Sequence, residues 1–170
     1  IHDEKQLQCL SMMANWLVEP GKKYGLFLAG VAGNGKTTSV LAMRDLINHC
    51  QVRDPIGSTL FSPYAGIWFM TARELMAQFS LNRKKYEACK ETYILAIDDF
   101  GTEESIVYEY RNIYKPMEDL LSYRYSRMLP TIITSNLPMA AIREKYGDRV
   151  SERFNEMMFV IHMPDRNFRV

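Results

Sequence analysis

Apolar positions along the chain fall into two rhythms. Five short runs are almost continuously apolar: "YGLFLA" (24–29), "GIWFM" (66–70), "TYILAID" (92–98), "TIITS" (131–135) and "FVIHM" (159–163). Each is strand-sized. Between them the apolar residues recur every three or four positions. Residues 3–17 place Leu7, Leu10, Met13, Ala14 and Leu17 at helical spacing, and residues 36–50 read the same way. "TARELMAQF" (71–79) predicts a helix capped by Thr71, with Glu74 three residues on completing a capping box. A helix is predicted from Pro116 to Arg127, because proline is tolerated in a first turn. "MAAIREKYG" and "DRVSERFNEM" continue the helical pattern. "EPGKK" breaks the chain early, and residues 51–65, with Pro55, Gly57 and Pro63, predict a loop.

Strands this continuously apolar are buried on both faces. The pattern therefore predicts an α/β fold, a five-stranded parallel sheet between helices. There is no internal repeat or low-complexity tract, and 170 residues suit one domain, 1–170. Apolar residues at 47% and charged residues at 24% are ordinary for a globular chain. A net charge of +1 announces neither nucleic acid nor membrane globally, though a local patch stays open. No apolar run has membrane-spanning length, and nothing resembles a signal peptide. Cys9, Cys50 and Cys89 are odd in number and widely spaced, which fits a reducing, cytoplasmic setting. The start at Ile1 suggests an excised fragment whose N-terminal, partner-binding region lies upstream.

Chemistry concentrates in "GVAGNGKTT" (30–38), between the first strand and the following helix. Gly30, Gly35, Lys36 and Thr37 fit G-x-x-x-x-G-K-[ST], with Gly33, Asn34 and Thr38 in the same loop. Backbone N–H groups at a helix N-terminus surround a phosphate, and glycine lets the loop wrap closely. Lys36 is expected to reach the β- and γ-phosphates of ATP, and Thr37 to coordinate Mg²⁺. "YILAIDDFGTE" supplies the second half: Asp98 ends a strand and is expected to hold Mg²⁺, with Asp99 placed to orient or deprotonate the attacking water. Asn136 follows the fourth strand, where its amide could hold the water near the γ-phosphate or simply begin a turn before Pro138. Arg149 and Arg153 lie one helical turn apart, with Glu152 and Glu156 as nearby acids.

With these motifs the chain resembles the AAA+ ATPases of the DnaC/DnaI helicase-loader and IstB transposition-helper group. The likeness covers roughly residues 5–170. It rests on "GVAGNGKTT" (Walker A), "ILAIDDFGTE" (Walker B), "LPTIITSNL" (sensor 1), "GDRVSERF" (arginine-finger box) and "DRNFR" (sensor 2). The resemblance implies a P-loop NTPase of the AAA+, ASCE type. It implies that Asn136 is sensor 1 and that Arg153 is a finger acting on ATP in a neighbouring subunit. Arg169, with Arg166 as substitute, is the implied sensor 2. It further implies an ATP-state homo-oligomer, single-stranded DNA, and a replicative helicase or a transposase as partner. Two departures stand out. Asp99 occupies a place where many AAA+ proteins carry Glu, so slow hydrolysis is expected and Glu103 could share the task. The chain also ends just after its fifth strand, leaving no helical lid. Arg83, Lys84, Lys85 and Tyr86, in "LNRKKYE", lie in a region that lines the DNA path in the resembled proteins; the same stretch reads more readily as a solvated, charged linker.

Three functions follow: an ATP-driven helicase loader, an ATPase regulating a transposase on DNA, or a low-turnover nucleotide switch that acts by binding a partner. A metabolic P-loop kinase fits less well, because "TSNL" has no role there.

Overall fold

A computed structural model describes residues 4–19, 21, 23–55, 57, 64–109, 111–165 and 167. In chain order the elements are α1 (Glu4–Val18), β1 (Gly25–Ala29), α2 (Lys36–Cys50), β2 (Ile67–Thr71), α3 (Ala72–Leu81), α4 (Arg83–Glu91), β3 (Ile94–Asp98), β4 (Val107–Glu109), β5 (Asn112–Tyr114), α5 (Pro116–Ser126), β6 (Thr131–Ser135), α6 (Met139–Tyr146), α7 (Asp148–Met157) and β7 (Met158–His162). The predicted five-stranded sheet is present and parallel, in the order β2-β3-β6-β1-β7.

The sheet is the middle of three layers. Along β1, Leu26 and Leu28 face one way and Phe27 and Ala29 the other, as pleating requires. The first pair packs with Cys9, Met13 and Trp16 of α1 and Val40, Met43 and Ile47 of α2. The second pair joins a larger core from α3 to α7, which includes Leu75, Tyr86, Leu120, Ile142 and Phe154. No helix among the described residues is long and apolar enough to cross a membrane.

Strand order brings the two halves of the expected site together. β6 lies between β1 and β3. Its register pairs Ala29 with Ser135 on one side and Ile97 with Ile133 on the other. The chain therefore leaves the C-terminal ends of three adjacent strands at Gly30, Asp99 and Asn136. Open parallel sheets bind ligands at this edge.

Two features go beyond the pattern reading. Residues 83–91 form their own helix, α4, started by Asn82, whose side chain accepts from the Lys85 N–H at 3.1 Å. Only Tyr86 and Cys89 of that helix are buried, so its apolar signal is too thin to read as a periodicity. Strands β4 and β5 form an antiparallel hairpin outside the main sheet, and β5 is exposed throughout. The Thr71 capping box is present: Thr71 accepts from the Glu74 N–H at 3.1 Å, and Glu74 accepts from the Thr71 N–H at 2.9 Å. These bonds from the Thr71 backbone and then its side chain hold the Glu74 carboxyl below its ordinary range. Of the predicted loop 51–65, Arg53 and Tyr64 form an isolated bridge, while Pro63 lies outside the described residues.

Candidate nucleotide site

The loop after β1 turns into α2 at Gly35, whose φ of 90° suits glycine and which supplies no side-chain cap. The first N–H groups of α2 thus have no capping side chain and are available to an anion. Gly30 is required for space. A Cβ there would stand 2.3 Å from Asn34 Nδ2 and 3.2 Å from the Met163 carbonyl oxygen. Asn34 is fully buried inside the loop, and its Nδ2 has no hydrogen-bond partner among the protein atoms.

Lys36 is folded back onto the loop. Its Nζ donates to the carbonyls of Gly30 (2.7 Å) and Val31 (2.8 Å), to Asn34 Oδ1 (3.0 Å) and to Asn136 Oδ1 (2.8 Å). These four acceptors are neutral, and the bond to Asn136 joins residues 100 positions apart. Ala32 to Thr38, Asp99 and Asn136 line one open cavity of about 180 Å³.

Thr37 Oγ1 stands 3.0 Å from both carboxylate oxygens of Asp98, which is only 5% exposed. Asp98 also accepts from Thr134 Oγ1 at 2.5 Å. Asp99, by contrast, is exposed and takes a left-handed φ of 53°. Its N–H donates to Thr134 Oγ1 at 3.0 Å.

These groups fit a nucleoside triphosphate with Mg²⁺. Hard cations take oxygen ligands, and the Thr37 hydroxyl beside the Asp98 carboxylate is such a pair. Among the described residues no cluster of three or more His, Cys, Asp or Glu could cage a metal. A cation here would therefore take its remaining oxygens from phosphate and water.

Glu103, expected to share the work of Asp99, does not line this cavity. It is 4% exposed; one carboxylate oxygen accepts from Tyr146 and the other from the Gly101 N–H at 2.9 Å. Burial, and then the bond to Glu103, push the Tyr146 phenol upward, so it remains a donor. The loop containing Glu103 is pinned elsewhere too: Lys145 donates to the Gly101 carbonyl at 2.6 Å, and Ser135 donates to the Phe100 carbonyl at 2.6 Å.

The chain matches no protein-family model, and no curated protein matches it. Solved structures do. A DnaI structure superposes with a TM-score of 0.73 at 21% identity, covering 99% of this chain and 87% of that one. The DnaC helicase loader gives 0.72 at 19% identity, covering 96% and 92%. The chain shares the fold of these two structures. AMPPCP-bound DnaA from Aquifex aeolicus shares it more distantly, with a TM-score of 0.66 at 16% identity, covering 99% of this chain and 50% of that one. The segments that the sequence reads as Walker A, Walker B and sensor 1 lie at the turn from β1 to α2, the end of β3 and the end of β6.

The remaining expected residues are placed unevenly. Arg153, on α7, is half-buried against α5: it donates to Ser122 Oγ, and its guanidinium lies 5.4 Å from the Tyr125 ring centroid. Glu156 accepts from Tyr125 rather than from either nearby arginine, and Arg149 is exposed. Arg166 and Arg169 lie outside the described residues.

The 83–86 cluster does not act as one surface. Tyr86 is fully buried and donates to the Pro116 carbonyl at 2.6 Å, so it cannot stack on a base. Arg83 lies 3.3 Å over the Phe79 ring and pairs with Glu109 at 3.1 Å. Only Lys84 and Lys85 keep exposed side chains outside such contacts. The four are contiguous in sequence, but on a helix Arg83 and Tyr86, three apart, share the face that packs on the scaffold, while Lys84 and Lys85 turn away from it.

Arg124 was missed by sequence reading. It is fully buried, and its guanidinium donates to Thr131 Oγ1 (2.8 Å) and to the carbonyls of Lys90 (3.1 Å), Thr92 (2.7 Å), Tyr93 (3.1 Å) and Pro130 (2.6 Å). It ties α5 to the starts of β3 and β6. The one available signal was its position within the buried stripe of that helix, three residues after Leu121.

Proposed function

We propose that this chain is an ATP-binding and ATP-hydrolysing AAA+ domain that loads or remodels a replicative helicase on single-stranded DNA. The observation that carries the reading is the convergence on one strand edge of the Lys36 ammonium, the Thr37–Asp98 pair and the Asn136 amide. The loader-type fold supports the choice of partner.

Mg²⁺ supplies charge neutralisation between the phosphates when bound. The chain's own residues do the rest. N–H groups at the start of α2 receive phosphate oxygens, and Lys36 exchanges neutral carbonyl partners for them. Thr37 and Asp98 hold the cation. Asp99 lines the cavity and is exposed, which leaves its carboxylate able to orient a water and accept its proton. Asn136 holds that water or the terminal phosphate. Arg153 stabilises the transferring phosphoryl group in a neighbouring subunit, because a guanidinium stays charged and presents a fixed fork of donors.

Mixing tests the reading. Arg153→Ala keeps an intact pocket and Lys36→Ala an intact finger. Each alone is expected to lose turnover, and a finger is worth about 10³–10⁵ in rate. Combined, they should recover activity at mixed interfaces. Full-rate hydrolysis by an isolated monomer, or by Arg153→Ala, would sink the trans mechanism.

The short, exposed Asp99 favours a second reading, a low-turnover switch. Asp99→Asn separates the two: a hydrolase keeps ATP bound but stops splitting it, whereas a switch is unaffected.

A further inference from the structure

Thr134 links the two adjacent carboxylates. It lies on β6, 1% exposed, among isoleucines that fill both faces of the sheet. A valine would match its shape, and an unpaired hydroxyl there would be costly. Its hydroxyl has two partners. The oxygen accepts the Asp99 N–H at 3.0 Å, and the proton goes to Asp98 Oδ1 at 2.5 Å. The result is a continuous chain, Asp99 N–H to Thr134 Oγ1 to Asp98.

Each bond meets a specific demand. Asp98 is a nearly buried carboxylate that Thr37 approaches from the α2 side, equally distant from both oxygens. With Thr37 alone the carboxylate could rotate about that contact. Thr134 engages Oδ1 only and so breaks the symmetry, fixing the carboxylate plane and leaving Oδ2 to Thr37 alone among these hydroxyls. Asp99 has the opposite problem. Its φ of 53° is unusual for a residue with a side chain. The bond from its N–H anchors that backbone angle, while the Phe100 N–H donates to the Thr134 carbonyl at 2.9 Å and fixes the next peptide. Strand register makes this possible, because pairing of Ile97 with Ile133 sets Asp98 beside Thr134.

We infer that Thr134 is the positioning residue of the site: its hydroxyl orients Asp98 toward the cation and holds Asp99 in the backbone conformation that presents its carboxylate to the cavity. The inference rests on the nucleotide reading above and adds a residue to it. Thr134 acts through the two aspartates and need not touch nucleotide.

Thr134→Val removes the hydroxyl at nearly constant volume. Affinity for a fluorescent ATP analogue is measured with Mg²⁺ and again in EDTA, together with the Mg²⁺ concentration for half-saturation. The expected result is a loss of roughly 10–100-fold in apparent Mg²⁺ affinity, the usual cost of removing an outer partner of a metal ligand. Affinity in EDTA should be unchanged, and Thr134→Ser should restore the wild-type response. In an Asp98→Asn background Thr134→Val should add little to the Mg²⁺ effect. An unchanged Mg²⁺ response would overturn the inference. So would an equal loss with and without Mg²⁺, which would make Thr134 merely structural. If the valine variant does not fold, Thr134→Cys, with a weaker donor of similar size, carries the same comparison. A wild-type chain that binds no nucleotide in either condition would overturn the function reading together with this one.

Discussion

At the C-terminal edge of β1, β3 and β6, the polar side chains bond to one another across long sequence separations. Lys36 meets Asn136, Thr37 meets Asp98, and Thr134 bridges Asp98 to Asp99. On the flank formed by α4 and the β4–β5 hairpin, the polar side chains bond to scaffold. Arg83 covers Phe79 and pairs with Glu109, and Tyr86 braces the start of α5 at Pro116. Both regions hold several charged residues close together in sequence. They differ in what those charges face. At the strand edge they surround an open cavity; on the flank Arg83, and with it the neutral Tyr86, is already committed to packing. Proximity in sequence makes a site only where the backbone turns the side chains toward common empty space.

Arg124 supports both regions, since it joins the end of α4 to the starts of β3 and β6. Its removal should have the largest effect on stability. Arg124→Met leaves buried carbonyls without donors, each costing about 1–3 kcal/mol. We expect a loss of about 3–5 kcal/mol in chemical denaturation, or a fall in Tm of roughly 10 °C for a chain of this size. A variant as stable as wild type would mean the guanidinium is dispensable and the comparison lacks a common brace.

Lys36→Ala should act only at the strand edge. A ligand at 100 times its Kd stabilises the native state by about 2.7 kcal/mol. Differential scanning fluorimetry with ATP and Mg²⁺ should show that shift in wild type and lose most of it in Lys36→Ala, each shift being taken from that protein's own ligand-free Tm, since removing Nζ also leaves its four acceptors without their donor. An undiminished shift would remove the lysine from the phosphate site.

Tyr86→Phe sharpens the contrast on the flank. It deletes one buried hydroxyl that donates to the Pro116 carbonyl, so stability should fall by about 1 kcal/mol. Single-stranded DNA affinity should not move. A fall in affinity with unaltered stability would restore the tyrosine to the DNA surface.

Paired Lys84→Ala and Lys85→Ala should have the smallest effect on the fold, under about 0.5 kcal/mol, as exposed substitutions do. If the two lysines touch single-stranded DNA, the salt slope of binding should drop by roughly 0.7 per lost contact. An identical slope would leave this flank as solvated scaffold.

The sheet was legible in the residue pattern because burial on both faces forces continuous apolar runs, and "TIITS" coincides with β6 to the residue. The glycine-rich turn between β1 and α2 was legible because the pattern that points to phosphate is local. Gly30 to Thr38 must be contiguous for backbone N–H groups to converge, so the requirement is written in one segment. α4 and the hairpin were harder to read, since each buries too little to impose a rhythm: Tyr86 and Cys89 on one, a partly buried Val107 on the other.

Sequence alone thus determined the α/β sheet, the loop at Gly30 and the paired aspartates after β3, since each depends on short-range pattern or on residue type at fixed spacing. Tertiary structure decided which carboxylates are available. It exposed Asp99 at the cavity, enclosed Glu103 under Tyr146, turned Tyr86 inward and set Thr134 beside Asp98. Those outcomes follow from strand order and register. Whether two residues 36 positions apart share a hydrogen bond depends on the alignment of two neighbouring strands, which neither segment specifies by itself.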